Sequence, residues 1–115
     1  MKRLYLKWKS IDNKIYTLAT LYKHEEYYYL IIDKENIIKA REKGCSGIGN
    51  IEVNAFGYKS KELFEFFKNR ILPRDNEHIY DLLKEYGLKE YDEMDLLDKT
   101  KGYLGTDRYF LEQEQ

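Results

Sequence analysis

The chain has 115 residues, 43% of them apolar and 36% charged, with 20 basic and 21 acidic side chains and a net charge of -1. That length and composition suit one folded domain with its own core and exclude a disordered polyelectrolyte. The near-zero balance excludes a broad polyanion-binding footprint, and a single cysteine, Cys45, excludes an internal disulfide.

A lone thiol fits a reducing compartment. No apolar run reaches the length of a membrane span, and MKRLYLKWKS lacks the apolar stretch of a signal peptide. The expected setting is the cytoplasm, with no membrane partner. The unusual number is twelve tyrosines. Tyrosine covers apolar surface while keeping a polar tip, so it suits half-buried faces and interfaces.

RLYLKWK alternates, with Leu4, Leu6 and Trp8 on one side and Tyr5, Lys7 and Lys9 on the other, which predicts a strand with one buried face. Ile11–Lys14 supplies turn residues. Ile15–Tyr22 and Tyr27–Ile32 read as two further strands, separated by the polar break His24–Glu26. Three consecutive strands with short links predict an antiparallel meander. Asp33 then caps a helix carrying Ile37, Ala40 and Arg41, with Gly44 just beyond its end. A short fourth strand is expected within Ile51–Tyr58, ended by Gly57.

From Ser60 to Gly102 the period becomes helical. Ser60 is expected to cap a helix with Leu63, Phe66, Phe67, Arg70 and Ile71 on one face, stopped by Pro73. Asp75 or Asn76 caps the next, with Ile79, Leu82, Leu83 and Tyr86 as its stripe and Gly87 as its stop. Asp92 caps a third, with Met94 and Leu97 inward. Thr106–Glu112 returns to strand character. The order predicts a single α+β domain: a small antiparallel sheet of four or five strands, meander or barrel-like, packed with three or four short helices.

Most chemical candidates have plainer readings. GCSGIGN, Gly44–Asn50, is glycine-rich but follows a helix and lacks the lysine of a phosphate loop, so it reads as a surface loop. Cys45 has no base nearby in sequence, which argues against a catalytic thiol. His24, Glu25, Glu26 and distant His78 match no metal-ligand spacing and read as solvated turn residues. Asp92, Glu93 and Asp95 complement a helix N-terminus. No catalytic residue, metal site or cofactor is expected. KRLYLKWK interleaves basic and aromatic residues as a nucleic-acid platform would. The alternation, however, sends Trp8 to the core and the lysines to water, so direct nucleic-acid binding is not expected. The sheet tyrosines leave two readings open: a protein-binding face, or a face that helices cover.

ELFEFFKNRILPRDN, the following helix, MDLLDKTKG and the closing strand together resemble the N-terminal subdomain of HipA-type proteins. The matching residues are Phe66, Phe67, Asn69, Leu72 and Pro73, then Met94, Asp95, Leu96 and Leu97, then Gly102. Arg70 and Ile71 add one residue to the family's tighter Asn-x-Leu-Pro form. Asn69 with Arg70 also resembles the module that precedes HIRAN domains. The first sixty residues fit the subdomain's opening strands only as a pattern. The resemblance implies a compact sheet with short helices that serves a serine/threonine kinase toxin. Similar stand-alone proteins, the HipS type, bind that kinase in trans, with a helix-turn-helix repressor engaged through the kinase. The chain holds no kinase glycine loop, His-Arg-Asp or Asp-Phe-Gly, so it is not expected to phosphorylate anything. The expectation is a non-catalytic antitoxin or accessory subunit. A nucleic-acid-associated module and an inhibitor of another host enzyme are the alternatives. Tyr27 and Tyr29 on the sheet, with Phe64 off the helical stripe, Arg70 on it as a cation among apolar residues, and Arg74, are the candidate contact residues.

Overall fold

The computed structural model describes residues 1–105 and 107–114. Five strands form one antiparallel sheet: β1 (Arg3–Lys9), β2 (Ile15–His24), β3 (Tyr27–Ile32), β4 (Gly57–Ser60) and β5 (Tyr109–Gln113). Four helices complete the α+β fold: α1 (Lys34–Glu42), α2 (Glu65–Lys68), α3 (Ile79–Glu85) and α4 (Glu93–Thr100). Strands β1 to β4 are a meander, and β5 returns beside β1, giving the order β4-β3-β2-β1-β5. The sheet is open, with β4 and β5 as its edges, so it does not close into a barrel. None of the described helices is long and apolar enough to cross a membrane.

Alternation decides which face is buried. Leu4, Leu6 and Trp8 of β1 join Leu21, Leu30, Ile32 and Leu111 from the neighbouring strands in one core. A bulge in β2 adds to this face. Leu6 pairs with Ala19 and Lys7 with Thr17, so Leu18 is the extra residue. The bulge lets both Leu18 and Ala19 be buried although they are adjacent. The Leu18 carbonyl accepts from the amide of Asp33, which brings the start of α1 against β2.

Helices α1, α2 and α4 bury apolar residues toward this inner face, whereas α3 packs in a second cluster. Ile37 and Ala40 of α1, Phe67 of α2, and Met94 and Leu97 of α4 belong to the main core. Ile79, Leu83 and Leu96 form a smaller cluster, bridged to the main one by half-buried Ile71. Asp33 caps α1 by accepting from the Asn36 amide, and Gly44 follows the helix at φ +105°. Asp92 caps α4 in the same way through the Asp95 amide.

Several boundaries differ from the sequence expectation. Ser60 is a strand residue paired with Tyr28, not a helix cap. The chain bends at Lys61 and Glu62 and is extended at Phe64, with ψ 142°, so α2 shrinks to one turn, although Leu63 and Phe67 remain buried. The fourth strand begins at Gly57 instead of ending there. A Cβ on Gly57 would lie 2.8 Å from the Leu30 carbonyl oxygen, so glycine is what permits β4 to approach β3. Neither Asp75 nor Asn76 is the cap of α3; the Asn76 side chain instead accepts from the amide of His78, which holds that position. The last strand starts at Tyr109; Thr106, where it was expected to begin, lies outside the described residues.

Candidate functional site

The inner face of the sheet carries the core and the helices, and among the described residues no buried helical residue packs on the outer face. The register lines up the outer side chains in rows across the strands. One row runs Arg3, Tyr22, Tyr29 and Lys59, through the pairs Arg3–Tyr22, Tyr22–Tyr29 and Tyr29–Lys59. The next runs Glu112, Tyr5, Thr20, Ile31 and Gly57. The face is therefore set by simple alternation, and its tyrosines and basic residues share one side.

In the first row the side chains stack into a ladder. The Arg3 guanidinium lies 4.9 Å from the centre of the Tyr22 ring. The Tyr22 and Tyr29 rings stack at 5.0 Å and 12°. Lys59 Nζ sits 5.9 Å from the Tyr29 ring and 4.1 Å from the Tyr27 ring, and Lys61 lies 6.0 Å from Tyr27 on the same side. Each such contact is worth about 0.5–1 kcal/mol at an exposed site, so the ladder orients the rings more than it stabilises the fold. Arg3 also lies 3.7 Å from Glu114, whereas Lys59 and Lys61 make no ion pair among the described residues. Beside the ladder, the small side chains of Thr17 and Thr20 leave a shallow trough of about 490 Å³, walled by Tyr5 and Lys7. Lys7 is tied to Glu112 at 2.7 Å, and that hydrogen bond holds the Glu112 carboxyl below its usual range.

A second concavity lies on the helical side. Lys23, Tyr28, Lys68, Arg74, Tyr91 and Glu93 line a cleft of about 420 Å³. The Tyr28 hydroxyl donates to Glu93 at 2.7 Å and the Tyr91 hydroxyl to the Leu72 carbonyl at 2.8 Å. Burial, reinforced by Glu93, pushes both phenols above their ordinary pKa. The cleft's hydroxyls are thus already committed as donors.

The five candidate contact residues fall in different places. Tyr27 and Tyr29 stand on the outer face, in the ladder. Arg74 is exposed and covers the Tyr91 ring at 4.7 Å, at the mouth of the helical cleft. Phe64 precedes α2 and is half-buried against the core. Arg70 is turned inward, with its side chain 4% exposed. Its guanidinium donates to Asp107 at 2.6 Å and to the Gly102 carbonyl at 3.0 Å, between the rings of Phe66 and Tyr109. A cation on an apolar stripe is here a clasp that ties α2 to the turn before β5. The sequence pattern counts Tyr22 among the sheet tyrosines but misses Arg3, Lys59 and Lys61; placing the four together requires the strand register.

The remaining candidates are plain. Trp8 is buried. Cys45 is buried beside Tyr109, whose hydroxyl donates to the Gly47 carbonyl at 2.6 Å and whose pKa burial raises to about 12. His24, Glu25 and Glu26 are exposed at the β2–β3 turn, and no group of potential metal ligands occurs among the described residues. No protein-family model matches the chain, and comparison with curated proteins and with solved structures found no significant match.

Proposed function

We propose that this chain is a non-catalytic, cytoplasmic protein-binding module whose docking surface is the outer face of the sheet. The observation that carries the reading is an uncovered sheet face paved with tyrosines held upright by a cation–π ladder. Aromatic side chains with few rotatable bonds are the common anchors of protein interfaces, and pre-ordering them lowers the entropy cost of binding. The partner class comes from the resemblance of the segment from Glu62 onward to HipA N-terminal subdomains. It points to a HipA-like serine/threonine kinase restrained in trans, as by a HipS-type antitoxin. Within the resemblance, Phe66, Phe67 and Leu97 pack in the core, so they support the fold of such a subunit and not its contact surface.

The test is co-purification with a HipA-like kinase encoded beside this chain, followed by the same experiment with Tyr22→Ser/Tyr29→Ser. The expected result is a complex at micromolar concentration that the double variant weakens while keeping its circular dichroism spectrum. Absence of a complex with the unaltered chain rejects the kinase reading.

A further inference from the structure

The outer face has a definite chemistry. Tyr22 has Arg3 against one side of its ring and Tyr29 stacked on the other. The Tyr27 ring is covered by Lys59. Each of these rings therefore already has a face in use within the molecule. What the ladder offers a visitor is ring edges, phenolic hydroxyls and the ammonium groups of Lys59 and Lys61. Ring edges carry the positive end of the aromatic quadrupole, and hydroxyls and ammoniums donate hydrogen bonds. All three favour an acceptor-rich, negatively charged surface.

The extent of the patch narrows the visitor further. The ladder is bounded by carboxylates on two sides, Glu25 and Glu26 at the β2–β3 turn and Glu112 and Glu114 along β5. A long polyanion crossing the face would meet these. Single-stranded nucleic acid would in addition need free ring faces for its bases, and here the rings are stacked on each other and on cations. A short acidic segment of a protein avoids both conflicts. Next to the ladder, the trough over Thr17 and Thr20 gives room for its apolar side chains.

We infer that the Arg3–Tyr22–Tyr29–Lys59 ladder, with Tyr27 and Lys61, is a recognition site for a short acidic protein segment, bound through ammonium and phenol donors rather than by stacking. The inference builds on the protein-binding reading above and specifies the chemistry of the partner's contact segment.

The test uses a fluorescein-labelled peptide of alternating Glu and Ala, about twelve residues long, in a fluorescence anisotropy titration. The expected result is saturable binding at low salt that physiological salt weakens, because the attraction is between exposed charges. Lys59→Glu/Lys61→Glu should raise Kd about tenfold, Lys59→Gln/Lys61→Gln should raise it less, and a Lys-Ala peptide should not bind. Lys59 and Lys61 are exposed, so these variants are expected to stay folded, which circular dichroism checks. Failure to bind the Glu-Ala peptide, or binding that the charge reversal leaves unchanged, overturns the inference. So does tighter binding of an oligothymidylate of about fifteen nucleotides, which would assign the face to nucleic acid. The kinase reading is judged separately. A kinase complex insensitive to salt and to charge reversal keeps that reading and rejects the acidic segment. Peptide binding without a kinase complex does the opposite.

Discussion

Arg70 sits among Phe66, Tyr109 and Gly102, where most positions would hold an aliphatic side chain. Its Nε is buried with no acceptor among the described residues, while the terminal nitrogens are held by Asp107 and Gly102. Asp107 is exposed and can rehydrate if the guanidinium is removed, whereas the Gly102 carbonyl loses its donor inside the fold. Arg70→Ala is therefore expected to cost about 2 kcal/mol in urea unfolding, through the lost charge-assisted hydrogen bonds and ring packing; a loss near that of an exposed ion pair would show that the clasp is ornamental. The sequence flagged Arg70 because its charge breaks an apolar stripe, but the partner, Asp107, lies 37 positions away and no local pattern announces it. A second residue-scale consequence concerns protons. Burial holds the phenols of Tyr28, Tyr91 and Tyr109 protonated beyond the ordinary tyrosine range. Since their folded pKa values are raised, their contribution to stability is complete below the unfolded tyrosine pKa and is lost as pH rises through the folded values. In an ultraviolet titration at about pH 11, the native chain should carry fewer phenolates than the urea-unfolded chain. Superimposable curves would contradict the burial of these three rings.

Elements were legible where local chemistry and tertiary packing agree. α1 and α4 begin after the two aspartates that the pattern picks out, because an Asx cap is decided within four residues. Asp92→Ala should accordingly cost about 1 kcal/mol, read from thermal unfolding. The start of α2 is not legible locally because it depends on a remote strand. Pairing with Tyr28 keeps Ser60 in the sheet, and a bend at Lys61–Glu62 and an extended Phe64 follow before the single turn begins. The β2 bulge was invisible for the same reason, since two adjacent buried residues look like ordinary apolar content until a partner strand defines the register. Gly102 is the sharpest element-scale test. At φ +61° it follows α4, and a Cβ there would stand 2.8 Å from Leu111 Cδ1. Gly102→Ala should destabilise by about 1–2 kcal/mol or more, adding left-handed strain to a clash with β5. A neutral result would mean that β5 can shift away from α4 without loss.

At the scale of the molecule, the sheet divides the chain's labour: one face is fused to helices, and the other, with its tyrosines and cations, is left bare. The composition foretold many tyrosines on strands; which side they occupy, and that the lysines join them, follows only from the register of four strands. β5 completes the sheet by contributing Tyr109 and Leu111 to the core. A chain ending before Tyr109 is expected to sediment as aggregates, because β1 would then expose an unpaired hydrophobic edge; a monodisperse truncated chain would show that β5 is dispensable. The place of β5 also has a consequence in time. The Lys7–Glu112 contact joins residues 105 positions apart. Synthesis delivers the meander first and β5 long afterwards. A nascent chain thus emerges with β1 as a temporary border, open to whatever strand reaches it. The rate of translation over the helical segment from Glu65 to Thr100 sets how long that border stays vulnerable.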